Sequence, residues 1–170
     1  MKQDTDTEIE NKIHEDLSPT RNLTGFHLKI VTAIAITWSL FQLWYASPLP
    51  FLLDIGKLID VPARAIHLAF GMGLCFLAYP ALKSKRNSPI NILDIFLALF
   101  SILATFYLVV EYEDLVYRQG ILASVELFGL KITYELILGS IGILLLLEAT
   151  RRAIGIPLVV IALIFLLFSI

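Results

Sequence analysis

The residues of this chain that could do chemistry are few and far apart. Glu148 is followed by Arg151 and Arg152 at i+3 and i+4, so on a helix either guanidinium can reach back to the carboxylate along one face. Arg64 and His67 lie three residues apart, and an imidazole there could carry a proton or bind a ligand. Asp94, Arg118, Lys131 and Glu135 complete the charges next to apolar stretches. Cys75 is the only cysteine, so it forms no internal disulfide, and the sequence has no cluster with metal-ligand spacing.

These charges matter because of what surrounds them. The 170-residue chain is 58% hydrophobic with a mean hydropathy of +0.81, more apolar surface than a soluble domain of this size can bury. The class is therefore an integral membrane protein, and a charge beside a span becomes a functional hypothesis by default. Net charge is −2, which gives no reason to expect a nucleic-acid partner.

Depth sorts the candidates. Asp94 falls in the first turn of an expected helix, where the helix dipole favours a carboxylate, and Glu135 falls in the first turn of the next. Arg118 and Lys131 belong to a loop between them. His67 has no second histidine or carboxylate at ligand spacing, so it reads as a hydrogen-bonded packing histidine. For Glu148, Arg151 and Arg152 two readings stay open. One is a helix-end clamp that fixes a turn, which is preferred; the other is a docking point for another subunit or a lipid headgroup. No phosphate-binding loop, Ser/His/Asp or Cys/His arrangement, or facing pair of acids stands in the middle of a span. The chain is expected not to be an enzyme, with no catalytic, cofactor-binding or metal residues.

The elements that must position these residues follow from hydropathy, since a spanning helix needs about 20 mostly apolar residues. Five segments qualify or nearly do: 26–46, 62–82, 90–110, 132–150 and 154–170. Residues 1–25 form a polar, acidic tail without a signal peptide's basic start, with a short helix possible over 6–16. Residues 26–150 make a four-helix membrane domain, and 151–170 a turn and a fifth, linking helix. Asp60 before Val61-Pro62 and Ser88 before Pro89 have the form of helix caps. Over residues 50–60, Phe51, Leu52, Ile55, Leu58 and Ile59 share one helical face, which suggests a short helix in the membrane interface. The loop at 111–131 begins polar and turns apolar, as a segment tucked on the outer surface would.

Lysines and arginines set the orientation. The run "KSKRN" at 83–87, Arg151 and Arg152, and Lys2, Lys12, Arg21 and Lys29 all fall on one side. The other side carries Lys57, Arg64, Arg118 and Lys131 among acids. The positive-inside rule puts the N-terminus in the cytosol. The expected fold class is an all-α integral membrane protein, a bundle of four to five transmembrane helices.

Several stretches carry a family resemblance. "EYEDLVYRQG" (111–120) and "LLLLEATRRAIGIPLVVIALIFLL" (144–167) resemble the N-terminal part of the fused permeases of TRAP transporters, the tripartite ATP-independent periplasmic transporters, and within them the TAXI subgroup. "RAIHLAF" (64–70), "FLAYP" (76–80) and "LTGFHLKIVTAIAITWSLFQLWYA" (23–46) resemble the same region. The similarity covers about residues 21–170, and the LEATRR block is its most specific part. It implies a small, static membrane domain that braces a large permease domain in a bacterial inner membrane. The large domain would carry the substrate and sodium sites, and a periplasmic TAXI-type solute-binding protein would deliver substrate. No ion- or substrate-binding residue is carried over, because the family's transport domain lies beyond this chain. About 17 residues from 154 to 170 span only some 25 Å. A truncated fusion is therefore expected in preference to a separately encoded subunit. The alternative function is a stand-alone membrane interaction protein that docks partners through its acidic tail.

Overall fold

The computed structural model describes residues 20–82, 87, 89–118, 121, 124–127 and 130–168. The expected helix over 6–16, Ser88 as a cap and most of the basic run at 83–87 lie outside these residues. Helices α1 (Gly25–Ala46), α2 (Leu49–Leu53), α3 (Asp60–Ala78), α4 (Ile92–Val110) and α5 (Tyr112–Tyr117) come first. Strands β1 (Val125–Leu127) and β2 (Leu130–Ile132) follow, then helices α6 (Tyr134–Ala153) and α7 (Ile156–Phe168). Three of these, α1, α3 and α4, are long and apolar enough to cross a membrane. Helix α7 is apolar but shorter, with 13 residues described. Helix α6 has the length but carries Glu135 in its first turn and Arg151 and Arg152 in its last.

Helix ends differ from the sequence expectations for local reasons. Helix α3 begins at Asp60 rather than using it as a cap; Ile59 holds the cap position, and the Asp60 carboxylate pairs with Arg64 one turn on. It stops at Ala78, short of 82, because Pro80 forces Tyr79 into extended backbone (φ −110°, ψ 116°). Helix α4 starts at Ile92, two residues later than expected. Its cap is Asn91, whose side chain accepts the Leu93 N–H at 3.5 Å.

The expected interfacial helix over 50–60 is cut to Leu49–Leu53. Asp54 takes the left-handed conformation (φ 56°), and Gly56 follows at φ 65°. A Cβ on Gly56 would stand 3.3 Å from Trp44 Nε1, so glycine serves there both for its backbone angle and for close approach of the indole. Ile55, Leu58 and Ile59 therefore do not extend one helical face. The segment expected to tuck on the outer surface, 111–131, includes helix α5 and most of a two-stranded antiparallel pair, with Val125 opposite Ile132 and Leu127 opposite Leu130.

Helix α3 is the hub. It packs most extensively on α4, and α1 and α6 both lie against it; α6 also packs on α4, while the main contact of α7 is with α6. The core between α3, α4 and α6 is built from Met72, Phe76, Ala98, Leu145 and Ala149. Small residues set the spacing: a Cβ on Gly73 would meet Ile102 Cδ1 at 3.3 Å. Cys75 adds a polar tie, its thiol donating to the Ala149 carbonyl at 3.2 Å. Large apolar side chains such as Leu40, Phe100 and Leu144 point outward and are more than half exposed.

Phe76 is completely buried, and its ring lies 5.0 Å beneath the Arg152 guanidinium. Phe76→Ala should lower unfolding stability by roughly 3–5 kcal/mol. Thermal or denaturant unfolding of the purified chain in a fixed detergent measures this, and a loss under about 1 kcal/mol would show that the α3–α4–α6 core is not the stability centre.

Candidate functional site

The charged groups gather where α3 and α6 end and α4 begins. Helix α3 stops before a proline, so the carbonyls around its C-terminus lack helical partners. Arginines occupy them: the Arg21 backbone N–H donates to Ala78 at 2.8 Å, Arg152 Nη1 reaches Tyr79 at 3.4 Å and Arg151 Nη2 reaches Ala81 at 3.3 Å. Guanidinium groups at the negative end of a helix are also favoured by its dipole. Asp94, in the first turn of α4, brings a carboxylate to that helix's positive end.

Asp94 is the junction. Its Oδ2 accepts from Arg21 Nη2 at 2.5 Å and its Oδ1 from Arg152 Nη1 at 2.8 Å. Arg152 Nε turns the other way, to Glu148 Oε1 at 2.8 Å. Arg151 grips Glu148 in a fork, Nε to Oε2 at 2.7 Å and Nη2 to Oε1 at 2.8 Å. The result is one chain of ion pairs, Arg21–Asp94–Arg152–Glu148–Arg151, which ties the segment before α1 to α4 and α6. Its inner half is dry: the side chains of Arg21, Arg152 and Asp94 are 2%, 3% and 6% exposed.

Glu148, Arg151 and Arg152 pair as their spacing allows. They do not form a self-contained clamp, because Arg152 also binds Asp94. Arg21 was expected within a free polar tail over 1–25. Instead it is buried, and it also donates from Nη1 to Pro89 at 3.2 Å. In sequence Asp94 reads as a lone acid opening a very apolar helix and Arg21 as a lone arginine just before one. Their pairing, 73 residues apart, was not visible.

His67 and Arg64 lie elsewhere and are not brought together with this network. Arg64 pairs with Asp60 on an exposed turn of α3, Nη2 to Oδ2 at 2.8 Å. His67 faces α1, where Trp38 Nε1 at 3.3 Å and Gln42 Nε2 at 2.9 Å both address its Nδ1. An indole N–H can only donate, so Nδ1 is the acceptor and the ring proton rests on Nε2. The Trp38 ring also meets the imidazole edge-on at 5.0 Å.

A second cluster stands at the other end of α4. Glu135, buried at the start of α6, accepts from Arg118 Nη2 at 2.7 Å and from the Tyr107 hydroxyl at 2.9 Å. The bond to Glu135 raises the Arg118 guanidinium above its already high ordinary value. Asp94 and Tyr107 are thirteen residues apart on α4, so the clusters are separated by about 20 Å. Between them α3, α4 and α6 line a cavity of ≈ 350 Å³ whose polar wall groups include Ser101 and Thr105. Both hydroxyls are spent on backbone carbonyls, Ser101 on Ala98 and Thr105 on Ser101, each at 2.8 Å. Among the described residues no group of three or more His, Cys, Asp or Glu side chains is placed to hold a metal ion.

Comparison with protein-family models, with curated proteins and with solved structures finds no match. The class that the geometry itself defines is a helical chain with three helices able to cross a membrane. Its buried charges gather into two paired clusters, one at Arg21, Asp94 and Arg152 and one at Glu135.

Buried pairs respond strongly to loss of one partner, because the other is left charged and unpaired. Asp94→Asn leaves buried Arg21 without an anionic partner and Arg152 with Glu148 alone, and should cost about 3–5 kcal/mol. Arg64→Ala removes an exposed pair and should cost about 0–1 kcal/mol. Unfolding of the two variants in the same detergent compares them, and equal losses would refute the network as the fold's anchor.

Proposed function

We propose that the chain is the small, bracing membrane region of a TAXI-type TRAP transporter, inserted as a bundle of four helices with α7 as the start of a linking helix. The observation that carries this reading is the distribution of charge. Apart from His67, no acidic or basic side chain occurs from Ala65 to Ala78 in α3, Ile95 to Val110 in α4 and Leu136 to Leu147 in α6. A transporter core or channel filter places polar or ionisable groups at that depth, whereas a brace needs only packing there.

Membrane depth also accounts for the pairing. A separation of about 20 Å between the clusters is less than a hydrocarbon core of about 30 Å, so centred charges would lie about 5 Å inside each boundary. Carboxylates and guanidiniums at that depth are tolerable when they neutralise one another. The positive-inside orientation puts the Arg21–Asp94–Arg152 cluster on the cytosolic side and Arg118–Glu135 outside. The inner membrane of a bacterium, an ion gradient as energy source, sodium sites confined to the large permease domain, and a periplasmic binding protein as partner all follow from the family resemblance.

The reading predicts that the affinity-tagged chain retains a co-expressed TAXI-type large permease through detergent washes. It also predicts sodium-dependent uptake into proteoliposomes only when chain, permease and binding protein are all present. A chain that retains no such permease refutes it. Within an assembled complex, Glu148→Ala should weaken assembly or thermal stability and leave substrate choice unchanged. Normal assembly with altered specificity would sink the bracing role.

A further inference from the structure

The cytosolic network does not balance its own charge. Three guanidiniums, Arg21, Arg151 and Arg152, face two carboxylates, Asp94 and Glu148, which leaves one positive charge in excess. The imbalance has a definite address. Arg21 Nη1 and Nη2 are bonded, but Arg21 Nε is buried with no acceptor. Among the described residues it is the one buried side-chain polar atom left in that condition. A buried, charged donor without a partner is costly, and structures normally supply one.

At this network opens a cavity of ≈ 860 Å³ that has Arg21, Arg152 and Asp94 among its lining residues. Leu82, Phe96 and Phe100 line its apolar part and are each exposed by half or more. Both Asp94 oxygens are already engaged by the two arginines, so this carboxylate does not supply the missing acceptor. The first turn of α4 also faces the cavity through Ile92 and Leu93, adding the positive end of a helix dipole. A cationic, donor-rich head joined to an aromatic and aliphatic wall matches the two halves of one molecule, a phosphate and a hydrocarbon chain.

We propose that this cavity seats one anionic phospholipid of the cytosolic leaflet. Its phosphate would accept from the Arg21 guanidinium and offset the excess charge, and an acyl chain would lie along the Phe96–Phe100 face of α4. The inference rests on the membrane reading proposed above. The lipid acts as a further partner of the helix ends: it adds an anion beside Arg21 and covers the exposed Phe96 and Phe100 of α4.

The test uses the full chain in nanodiscs of dioleoyl phosphatidylcholine doped with dioleoyl phosphatidylglycerol. Native mass spectrometry then counts lipids retained on release. One phosphatidylglycerol per chain should be kept in preference to phosphatidylcholine. Arg21→Lys keeps the charge but loses the guanidinium fork, and should weaken that retention about tenfold. Leu82→Glu leaves the ion network intact and puts a negative charge at the exposed wall; it should weaken retention by a similar factor. Equal retention of the two lipids, or full retention in Leu82→Glu, overturns the site. Protection against thermal unfolding by inorganic phosphate as strong as that by phosphatidylglycerol would also overturn it, since the acyl half would then add nothing. A chain that fails to enter nanodiscs at all refutes the membrane reading itself, a result distinct from the loss of lipid preference.

Discussion

The double ion pair at Asp94 is the constraint on which the rest of this structure depends. Three chain segments distant in sequence meet at one carboxylate: Arg21 from before α1, Asp94 from the start of α4, and Arg152 from the end of α6. Helix α3 joins them through carbonyls that its proline-terminated end cannot satisfy internally. Removing water from such a site is expensive, and an apolar replacement could be as stable. What the ion pairs add is direction. An apolar helix can rotate or slide against apolar neighbours at little cost, whereas a carboxylate held at both oxygens admits one register.

The same logic explains why apolar packing alone leaves some helices loosely held. Helices α1 and α7 bury no residue, and α7 is apolar all round. Between lipid-like surfaces the hydrophobic effect provides no preference for helix over solvent hydrocarbon, so polar contacts and close packing set the arrangement. For α1 these are the bonds from Trp38 and Gln42 to His67 and the approach of Phe41 to Phe70 at 6.2 Å. For α7 the turn matters most. Gly155 at φ 117° ends α6, with its N–H donating to the Thr150 carbonyl at 3.2 Å, and Pro157 opens the next helix.

The bracing role proposed above rests on where charge is sparse. Within α4 and α6, Ser101, Thr105 and Ser140 turn their hydroxyls onto backbone carbonyls of their own helix. The acidic side chains and arginines of α3, α4 and α6 lie toward the helix ends, in ion pairs. Under that proposed role, such an element would be a frame for another domain, and the excess charge at Arg21 would be where a bilayer lipid is gripped.

Much of this was legible in the amino-acid sequence. The apolar segments around α1, α3 and α4 follow from hydropathy, and the pairing of Glu148 with Arg151 and Arg152 follows from helical spacing, because both depend only on neighbours a turn away. The shortened helix at Leu49–Leu53 and the hairpin at Val125–Ile132 were missed. The first hinges on one left-handed residue, and the second on strand pairing that a periodicity of a few residues cannot announce. Only the tertiary structure decided that Arg21 is buried, that Arg152 has two carboxylates, and that Asp94 is a junction rather than a dipole-stabilised acid. These are contacts across 58 and 73 residues, and local sequence carries no term for them; they exist because the ends of separate helices are brought to the same place.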